Sequence, residues 1–199
     1  MAEVFRLLTV DDATEYHRVL VDGYAANKEF PISFEATDFT LQQSIDWVKE
    51  QPTYGLYVDD QLVSSISLRM PWIGKGTIKG FPHIGHFVTA PQHKGKGYAK
   101  KTLAYTEDLL RTVYRTPVVT LGTAAQHPWL QDMYKNMGFV EFKRTQLKGK
   151  KHITIFFEKN LIYSIFFITL FSDFSFFKLS YVVISSSFFS SLKSGHFPV

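Results

Sequence analysis

The stretch Ile84-Gly-His-Phe-Val-Thr-Ala-Pro-Gln-His-Lys-Gly-Lys-Gly-Tyr-Ala-Lys100 decides how the rest of this chain is interpreted. It begins as an apolar run typical of a buried strand, continues as a loop rich in glycine and lysine, and ends with a typical first helical turn. Backbone N–H groups converge where a tight loop enters a helix, and the helix N-terminus adds partial positive charge. The stretch therefore predicts a binding site for a phosphate or pyrophosphate group.

The overall composition favours one globular domain in a chain of 199 residues, 45% of them hydrophobic. The net charge of +4 is too small to indicate a dedicated nucleic-acid binder, so no nucleic-acid partner is expected. The absence of cysteine excludes disulfides, thiolate metal sites and cysteine nucleophiles, and no metal is expected. The N-terminal residues carry early charge without the apolar segment of a secretory signal, which favours a cytoplasmic protein.

The composition changes sharply near Asn160, where phenylalanine and serine begin to dominate. We predict a domain over residues 1–159 and an apolar tail over 160–199 outside the fold. Membrane contact through residues 161–189 is an open but less favoured alternative, because its first apolar run is shorter than the roughly 20 residues that span a bilayer. The favoured interpretation is translation beyond a true domain end, by read-through or mis-splicing. The only charged residues of the tail are Asp173, Lys178 and Lys193.

Apolar periodicity predicts a strand, two helices, three strands, a helix, a strand, a helix and two final strands. Asp59-Asp60 predicts a hairpin turn between the second and third strands. His127-Pro128 predicts the start of the last helix and Gly138 its end. The segment 27–39 has no clear period and is predicted to be a loop.

Three phosphate-binding patterns can be compared with the glycine-rich loop. No window supplies the G-x-x-x-x-G-K-[S/T] pattern of a P-loop. A dinucleotide fingerprint would need a third glycine at Lys100. The pattern Gln/Arg-x-x-Gly-x-Gly/Ala is satisfied in full by Gln92, Gly95 and Gly97.

This third pattern resembles the acetyl-CoA loop of the GNAT superfamily of acyl-CoA-dependent N-acyltransferases. A second match, Tyr134-Lys-Asn-Met-Gly138-Phe139, resembles the end of the last helix of that family, and the spacing between the motifs is typical. The resemblance covers residues 4–159. It implies an α/β (α+β) GNAT fold, with a mixed, mostly antiparallel sheet of about six or seven strands flanked by about four helices.

The resemblance also implies a function. The implied reaction transfers an acetyl group from acetyl-CoA to a primary amine of a small or amino-acid-like acceptor. The transfer would be direct, in a ternary complex. The protein would be a monomer or a homodimer. The alternative from another class is a non-catalytic sensor that binds acyl-CoA, tethered to a membrane through its tail.

By the same resemblance, loop amides and lysines would hold the phosphates of coenzyme A, and the fourth strand would pair with the pantetheine arm. The two glycines let the backbone approach closely. His127 stands where many relatives carry asparagine, and helix capping or cofactor contact is preferred there over proton transfer. The expected cofactor-binding residues are Phe87, Val88, Thr89, Gln92, Lys94, Gly95, Lys96, Gly97, Tyr98, Ala99 and His127.

Tyr134 occupies the family position of the general acid, which would protonate the departing thiolate. A backbone N–H of the fourth strand, that of Val88, would polarise the thioester carbonyl. His86 is the candidate general base, although a packed structural histidine explains it equally well. His83 and Glu35 are weaker candidates for that role.

The acceptor site of this family is usually built by the first two helices, their connection and the loop after the third strand. Aromatic side chains with a carboxylate suit a small amine, although aromatics also fill such hinges without contacting ligand. The residues concerned are Tyr24, Glu29, Phe30, Phe34, Glu35, Trp47 and Trp72.

Overall fold

A computed structural model describes residues 2–74 and 76–162 of the chain. Seven strands form one sheet in the order β1-β2-β3-β4-β5-β7-β6, and every neighbouring pair is antiparallel except β4 and β5. The strands are β1 Glu3–Leu7, β2 Thr53–Val58, β3 Gln61–Arg69, β4 His83–Thr89, β5 Val118–Ala124, β6 Val140–Gln146 and β7 Ile153–Asn160. The α-helices are α1 Ala13–Tyr24, α2 Leu41–Glu50, α3 Tyr98–Thr112 and α4 Pro128–Asn136.

The predicted architecture is confirmed, with seven strands and four α-helices in the described ranges. Asp59 and Asp60 both have positive φ, the geometry that a tight two-residue hairpin between β2 and β3 requires. The predicted loop over 27–39 includes the single-turn 3₁₀ segment Glu35–Asp38, and Ala25–Glu29 forms another. None of the helices in the described part of the chain is long and apolar enough to cross a membrane.

Two apolar clusters hold the helices against the sheet. In one, Tyr16, Val19 and Leu20 of α1 pack with residues of β2, β3 and β4. In the other, α3 and α4 pack with residues of β2, β3, β4, β5 and β7. Gly23 lets the end of α1 approach β4 closely, since a Cβ there would lie 2.0 Å from Cγ2 of Val88. This approach brings Tyr24 to the sheet.

The two halves of the sheet separate between β4 and β5. These parallel strands pair only at His83 with Thr120 and at Ile84 with Leu121, after which they diverge. A bulge in β4 accompanies the separation, because the register with β3 shifts between Gly85 and Val88. Bulges bend and twist a strand. The second half of β4 is thereby left without a neighbour on one side.

The domain extends slightly past its predicted end at residue 159, which falls inside β7. That strand continues to Asn160, and Leu161 is 3% exposed and belongs to the larger apolar cluster. The N–H of Leu161 donates to the carbonyl of Pro117 over 2.8 Å. Residues 160 and 161, assigned to the tail by composition, therefore pack with the fold. The rest of the predicted tail and of the membrane segment, from residue 163 onward, lies outside the described residues.

Adjacent substitutions test this boundary. Leu161→Ala should lower the free energy of unfolding by about 2–4 kcal/mol, because it removes a buried side chain and leaves a cavity. Ile162→Ala is the matched control, since Ile162 is 61% exposed and should cost little. Urea unfolding of the full chain measures both. Equal effects of the two changes would contradict the assignment of Leu161 to the core.

Candidate active site

A cavity of about 860 Å³ occupies the gap between β4 and β5. Its walls come from β4, the glycine-rich loop, α4, the end of α1 with the segment that follows, and the hairpin between β6 and β7. This volume lies within the usual range for ligand sites. The separation of the sheet therefore creates a site large enough for an extended ligand and a second small molecule.

The glycine-rich loop forms one end of the cavity. Gly95 and Gly97 have φ of 77° and 81°, and Gly97 is the residue before α3. No other atom lies within 4 Å of a Cβ built at either glycine, so conformation rather than crowding selects glycine. The first amides of α3 have no partner within the helix and remain available to an anion.

The predicted cofactor-binding side chains of this loop divide into two groups. Lys94 lies on the cavity wall, and so does Lys100 in the first turn of α3. Gln92 and Lys96 are exposed and are not part of the wall. Lys101 instead forms an ion pair with Glu3 of β1.

The second half of β4 forms the side of the cavity, with Phe87, Val88 and Thr89 all on its wall. Ala90 donates its N–H to Val63 of β3 over 2.9 Å, and Val88 pairs with Ser65 of the same strand. Because backbone groups alternate in direction along an antiparallel strand, the N–H of Val88 also points to β3. This direction does not favour the N–H of Val88 as the group that polarises a bound carbonyl. By the same alternation, the N–H groups of Phe87 and Thr89, on either side of Val88, are expected to face the gap.

Tyr134 of α4 also lies on the wall and is mostly buried. Its hydroxyl has no hydrogen-bond partner among the described residues, although its ring packs near Phe139 and Phe157. Burial raises the pKa of Tyr134 well above its usual value, and the nearby Tyr24 phenol raises it further. Tyr134 therefore remains protonated at neutral pH and can act as a proton donor.

His86 is enclosed by other aromatic residues at the bulge of β4. Its Nδ1 shares a 2.9 Å hydrogen bond with the hydroxyl of Tyr16, and its ring stacks on Trp47 at 4.0 Å. Phe39 contacts the ring edge-on at 4.9 Å. Burial lowers the pKa of His86 to about 3, with a further contribution from the positive charge of Arg69. At neutral pH the ring is uncharged.

His127, at the start of α4, is 3% exposed and lies on the cavity wall. Neither ring nitrogen has a hydrogen-bond partner among the described residues, and the side chain does not cap the helix. The capping interpretation is therefore not supported by the structure. The ring lies between Phe30, at 5.2 Å, and Trp129, at 4.6 Å, and burial lowers its pKa. Both ring nitrogens are therefore available to a ligand or to water in the cavity.

Four further polar side chains lie on the cavity wall. Lys150 binds Glu35 at 3.0 Å, and this interaction holds the pKa of the carboxyl below its usual value. His152 accepts a hydrogen bond from the N–H of Ser33, and burial lowers its pKa. Burial also lowers the pKa of His83, to about 4. Within the described ranges, no three acidic or histidine side chains form a group that could hold a metal ion.

Only some of the aromatic residues predicted for an acceptor site lie on the cavity wall. Trp47 lies behind His86 instead of on the wall, and Trp72 is 65% exposed. Sequence reasoning missed Arg69, His152 and Lys150, because they belong to no motif. The only signal for Arg69 is a charge at the end of an otherwise uncharged strand. Of the predicted aromatics, the wall contains Tyr24, Phe30 and Phe34.

Comparison with known proteins accounts for this arrangement. The profile described as the acetyltransferase (GNAT) family matches residues 23–139, which include β4, the glycine-rich loop and α4. The chain belongs to the GNAT family. Its curated relatives include an S-alkylcysteine N-acetyltransferase of Bacillus subtilis, 32% identical over 74% of this chain and 84% of the relative. An S-(2-succino)cysteine N-acetyltransferase of the same organism is 34% identical over 79% of this chain and 95% of the relative.

Solved structures show the same fold. YncA of Salmonella typhimurium, a putative acetyltransferase described with acetyl-CoA, has a TM-score of 0.64 at 14% identity and matches 82% of this chain and 96% of its own. The PaiA N-acetyltransferase of Thermoplasma acidophilum, described with coenzyme A, has a TM-score of 0.62 at 16% identity, covering 80% and 99%. With its enzymatic relatives, this GNAT protein is an N-acetyltransferase that acetylates an amine, and the non-catalytic sensor is not favoured.

The glycine-rich loop of this GNAT domain gives a prediction with a matched control. Gly97→Ala forces a Cβ into a left-handed conformation, so the loop should shift and acetyl-CoA should bind at least about tenfold more weakly. Gly149→Ala introduces the same strain at φ 80° in the turn between β6 and β7, also in open space. It should leave acetyl-CoA affinity unchanged. Calorimetry measures both, and equal affinities for Gly97→Ala and wild type would contradict an anion-binding role for the loop.

The burial of His86 predicts how the free energy of unfolding changes with pH. Its pKa is about 3 in the fold and 6.5 in an unfolded chain, so the unfolded state binds a proton first as the pH falls below 6.5. His86 alone should cost about 2 kcal/mol of stability between about pH 8 and about pH 5. His86→Asn keeps an acceptor for Tyr16 and tolerates positive φ, and it should remove that loss. Urea unfolding at both pH values tests this, and an unchanged pH dependence would contradict it.

Proposed function

We propose that this protein transfers the acetyl group of acetyl-CoA to the α-amine of an S-substituted cysteine or a similar amino acid. One observation carries the proposal. Both curated relatives described above are N-acetyltransferases of S-substituted cysteines, and each aligns with about three quarters of this chain or more. The catalytic unit in this proposal consists of the folded domain up to about residue 162.

The donor would lie along the gap between β4 and β5. The loop amides, with Lys94 and Lys100, would bind its phosphates at the positive end of α3. The unpaired edge of β4 at Phe87–Thr89 would bind the pantetheine arm by strand-like hydrogen bonds. His127, with two free ring nitrogens, would contact the same arm or the acceptor. These positions would direct the thioester towards α4.

The acceptor would enter from the side formed by the segment after α1 and the β6–β7 hairpin. Phe30, Phe34 and Trp129 provide an apolar surface there that suits an alkyl or thioether chain. Ser33 ties this segment to the hairpin, because its Oγ accepts a 3.0 Å hydrogen bond from the N–H of Lys151. The apolar surface is thus held in position before a ligand binds.

Tyr134 would serve as the general acid. In the reaction the amine nitrogen forms a bond to the acetyl carbon and the carbon–sulfur bond breaks, leaving a thiolate. The hydroxyl of Tyr134 is protonated at neutral pH and would donate its proton to that sulfur as the thiolate forms. A backbone N–H of Phe87 or Thr89 would bind the carbonyl oxygen as it gains negative charge.

The proton released by the amine needs an acceptor. His86, the candidate base, has a pKa of about 3, so it holds a proton poorly and its environment supports a structural role. Glu35 is engaged by Lys150. We infer that water in the open part of the cavity carries the proton to solvent, past the uncharged His127.

The substrate proposal is tested by measuring release of coenzyme A with S-methylcysteine and a panel of other amines. The full-length protein should turn over S-methylcysteine with the highest kcat/KM. Tyr134→Phe should lower kcat by about 10²- to 10⁴-fold and leave acetyl-CoA affinity unchanged, because it removes only the proton donor. Phe142→Leu, on β6 and outside the cavity wall, is the control and should keep kcat within about twofold of wild type.

Two results would contradict these assignments. Failure of the wild-type protein to acetylate any S-substituted cysteine while it acetylates other amines would reject the proposed acceptor. An unchanged kcat for Tyr134→Phe would remove Tyr134 from the chemistry without affecting the family assignment.

A further inference from the structure

Arg69, at the end of β3, is a cation that the function described so far does not use. Four cationic side chains lie on the cavity wall in the described ranges. Lys94 and Lys100 belong to the glycine-rich loop and α3, and Lys150 is paired with Glu35. Arg69 has no ion pair with any described residue. Arg69 is exposed and lies on the cavity wall, so its guanidinium is available to a negative group of a ligand.

The side chain of Arg69 is held in place although it lacks an ionic partner. Its guanidinium lies over the ring of Trp47, 5.1 Å from the centroid. The indole of Trp47 is itself fixed by a 2.9 Å hydrogen bond to the hydroxyl of Ser67 and by stacking on His86. The aromatic contact leaves the planar N–H groups of the guanidinium free. Arg69 is therefore oriented in advance for an anion.

The phosphates of the donor lie too far away to be that anion. Arg69 pairs with His83, the first residue of β4, whereas the glycine-rich loop follows Thr89, its last. The intervening six steps correspond to roughly 20 Å along a strand. Arg69 thus lies at the end of the cavity remote from the phosphate loop, where the sheet begins to separate.

The surroundings of Arg69 are uncharged apart from the engaged Glu35. The titratable groups that face this charge are His83 and His86 on β4, Tyr24 at the end of α1, and Glu35. The charge of Arg69 acts to lower the pKa of each, although burial raises the pKa of Tyr24 overall. The two histidines are neutral at pH 7, and Glu35 binds Lys150 at 3.0 Å. An entering carboxylate would meet one unpaired guanidinium and no adjacent unpaired carboxylate.

We propose that Arg69 binds the α-carboxylate of the acceptor and thereby selects amino acids over simple amines. The inference rests on the proposed function, in which an amino acid receives the acetyl group. A guanidinium matches a carboxylate through two parallel N–H···O bonds, which fix the orientation of the amino acid as well as its position. Arg69 is a specificity-determining residue and takes no part in proton transfer.

The test uses two acceptors that differ only in the carboxylate, S-methylcysteine and 2-(methylthio)ethylamine. Wild type should prefer S-methylcysteine. Arg69→Gln should lower kcat/KM for S-methylcysteine by about 10- to 100-fold, the usual effect of losing a hydrogen bond to a charged group. The same change should alter kcat/KM for 2-(methylthio)ethylamine by less than about threefold. Arg69→Lys keeps the charge but loses the two parallel N–H donors of the guanidinium. Its kcat/KM for S-methylcysteine should therefore lie between the values of wild type and Arg69→Gln.

The control is Arg144→Gln on β6, where Arg144 pairs with Glu141 outside the cavity wall. It should leave both acceptors unaffected, and the KM for acetyl-CoA should be constant in all variants. Equal losses for both acceptors in Arg69→Gln and in Arg69→Lys would assign Arg69 to the fold and overturn the proposal. Wild type that accepts 2-(methylthio)ethylamine as well as S-methylcysteine would overturn it while amine acetylation stands. Wild type that acetylates neither acceptor would overturn the proposed function and this inference together.

Discussion

The loss of pairing between β4 and β5 after Ile84 is the constraint on which the rest of this site depends. Two paired strands would fill the space with their own hydrogen bonds, and no cavity would exist. The bulge at His86 bends β4 away, and this residue has a φ of 45°, which costs a non-glycine residue roughly 1–2 kcal/mol. The hydrogen bond to Tyr16 and the stack on Trp47 compensate for that cost. His86 therefore makes a structural contribution whatever its part in the reaction.

The charges around the cavity follow from the same arrangement. Lys94 and Lys100 lie at the end of the cavity where β4 continues into the glycine-rich loop. Arg69 lies at the other end, where β4 begins. Uncharged histidines line the space near Arg69, because burial penalises their charged forms and Arg69 adds repulsion. The cavity thus has positive groups at both ends and neutral groups between them. This pattern suits two anionic ligands whose uncharged reacting groups come into contact in the middle. A thioester and a free amine are such groups.

The sequence predicts those parts of the site that are encoded locally. The conformations of Gly95 and Gly97 and the position of Tyr134 near the end of its helix depend on neighbouring residues, and a short motif records them. The element order predicts the fold for the same reason, since each helix and strand has its own period. The direction of the Val88 N–H depends on a bulge that leaves no pattern in the sequence, so it could not be predicted.

Residues from distant segments were beyond sequence reasoning. Arg69 is brought to the cavity by strand pairing, and Lys150 and His152 by a hairpin more than eighty residues later in the chain. The end of the domain could not be predicted from the sequence either. Leu161 and Ile162 are indistinguishable by composition, yet one is buried beside β7 and the other is exposed. Packing alone separates them.

Burial shifts the pKa values of the two proton-transfer candidates, Tyr134 and His86, in opposite directions. Removing water disfavours the charged form of each group, which raises the pKa of the Tyr134 phenol and lowers that of His86. Both groups are therefore neutral at pH 7: the phenol keeps a proton that it can donate, while the imidazole is a weak base. In the proposed reaction, Tyr134 would protonate the leaving thiolate from inside the protein, and the proton of the amine would leave through water. The side of the cavity at the Glu35–Lys150 pair would offer that route, because the side chain of Glu35 is exposed to solvent and lies on the cavity wall.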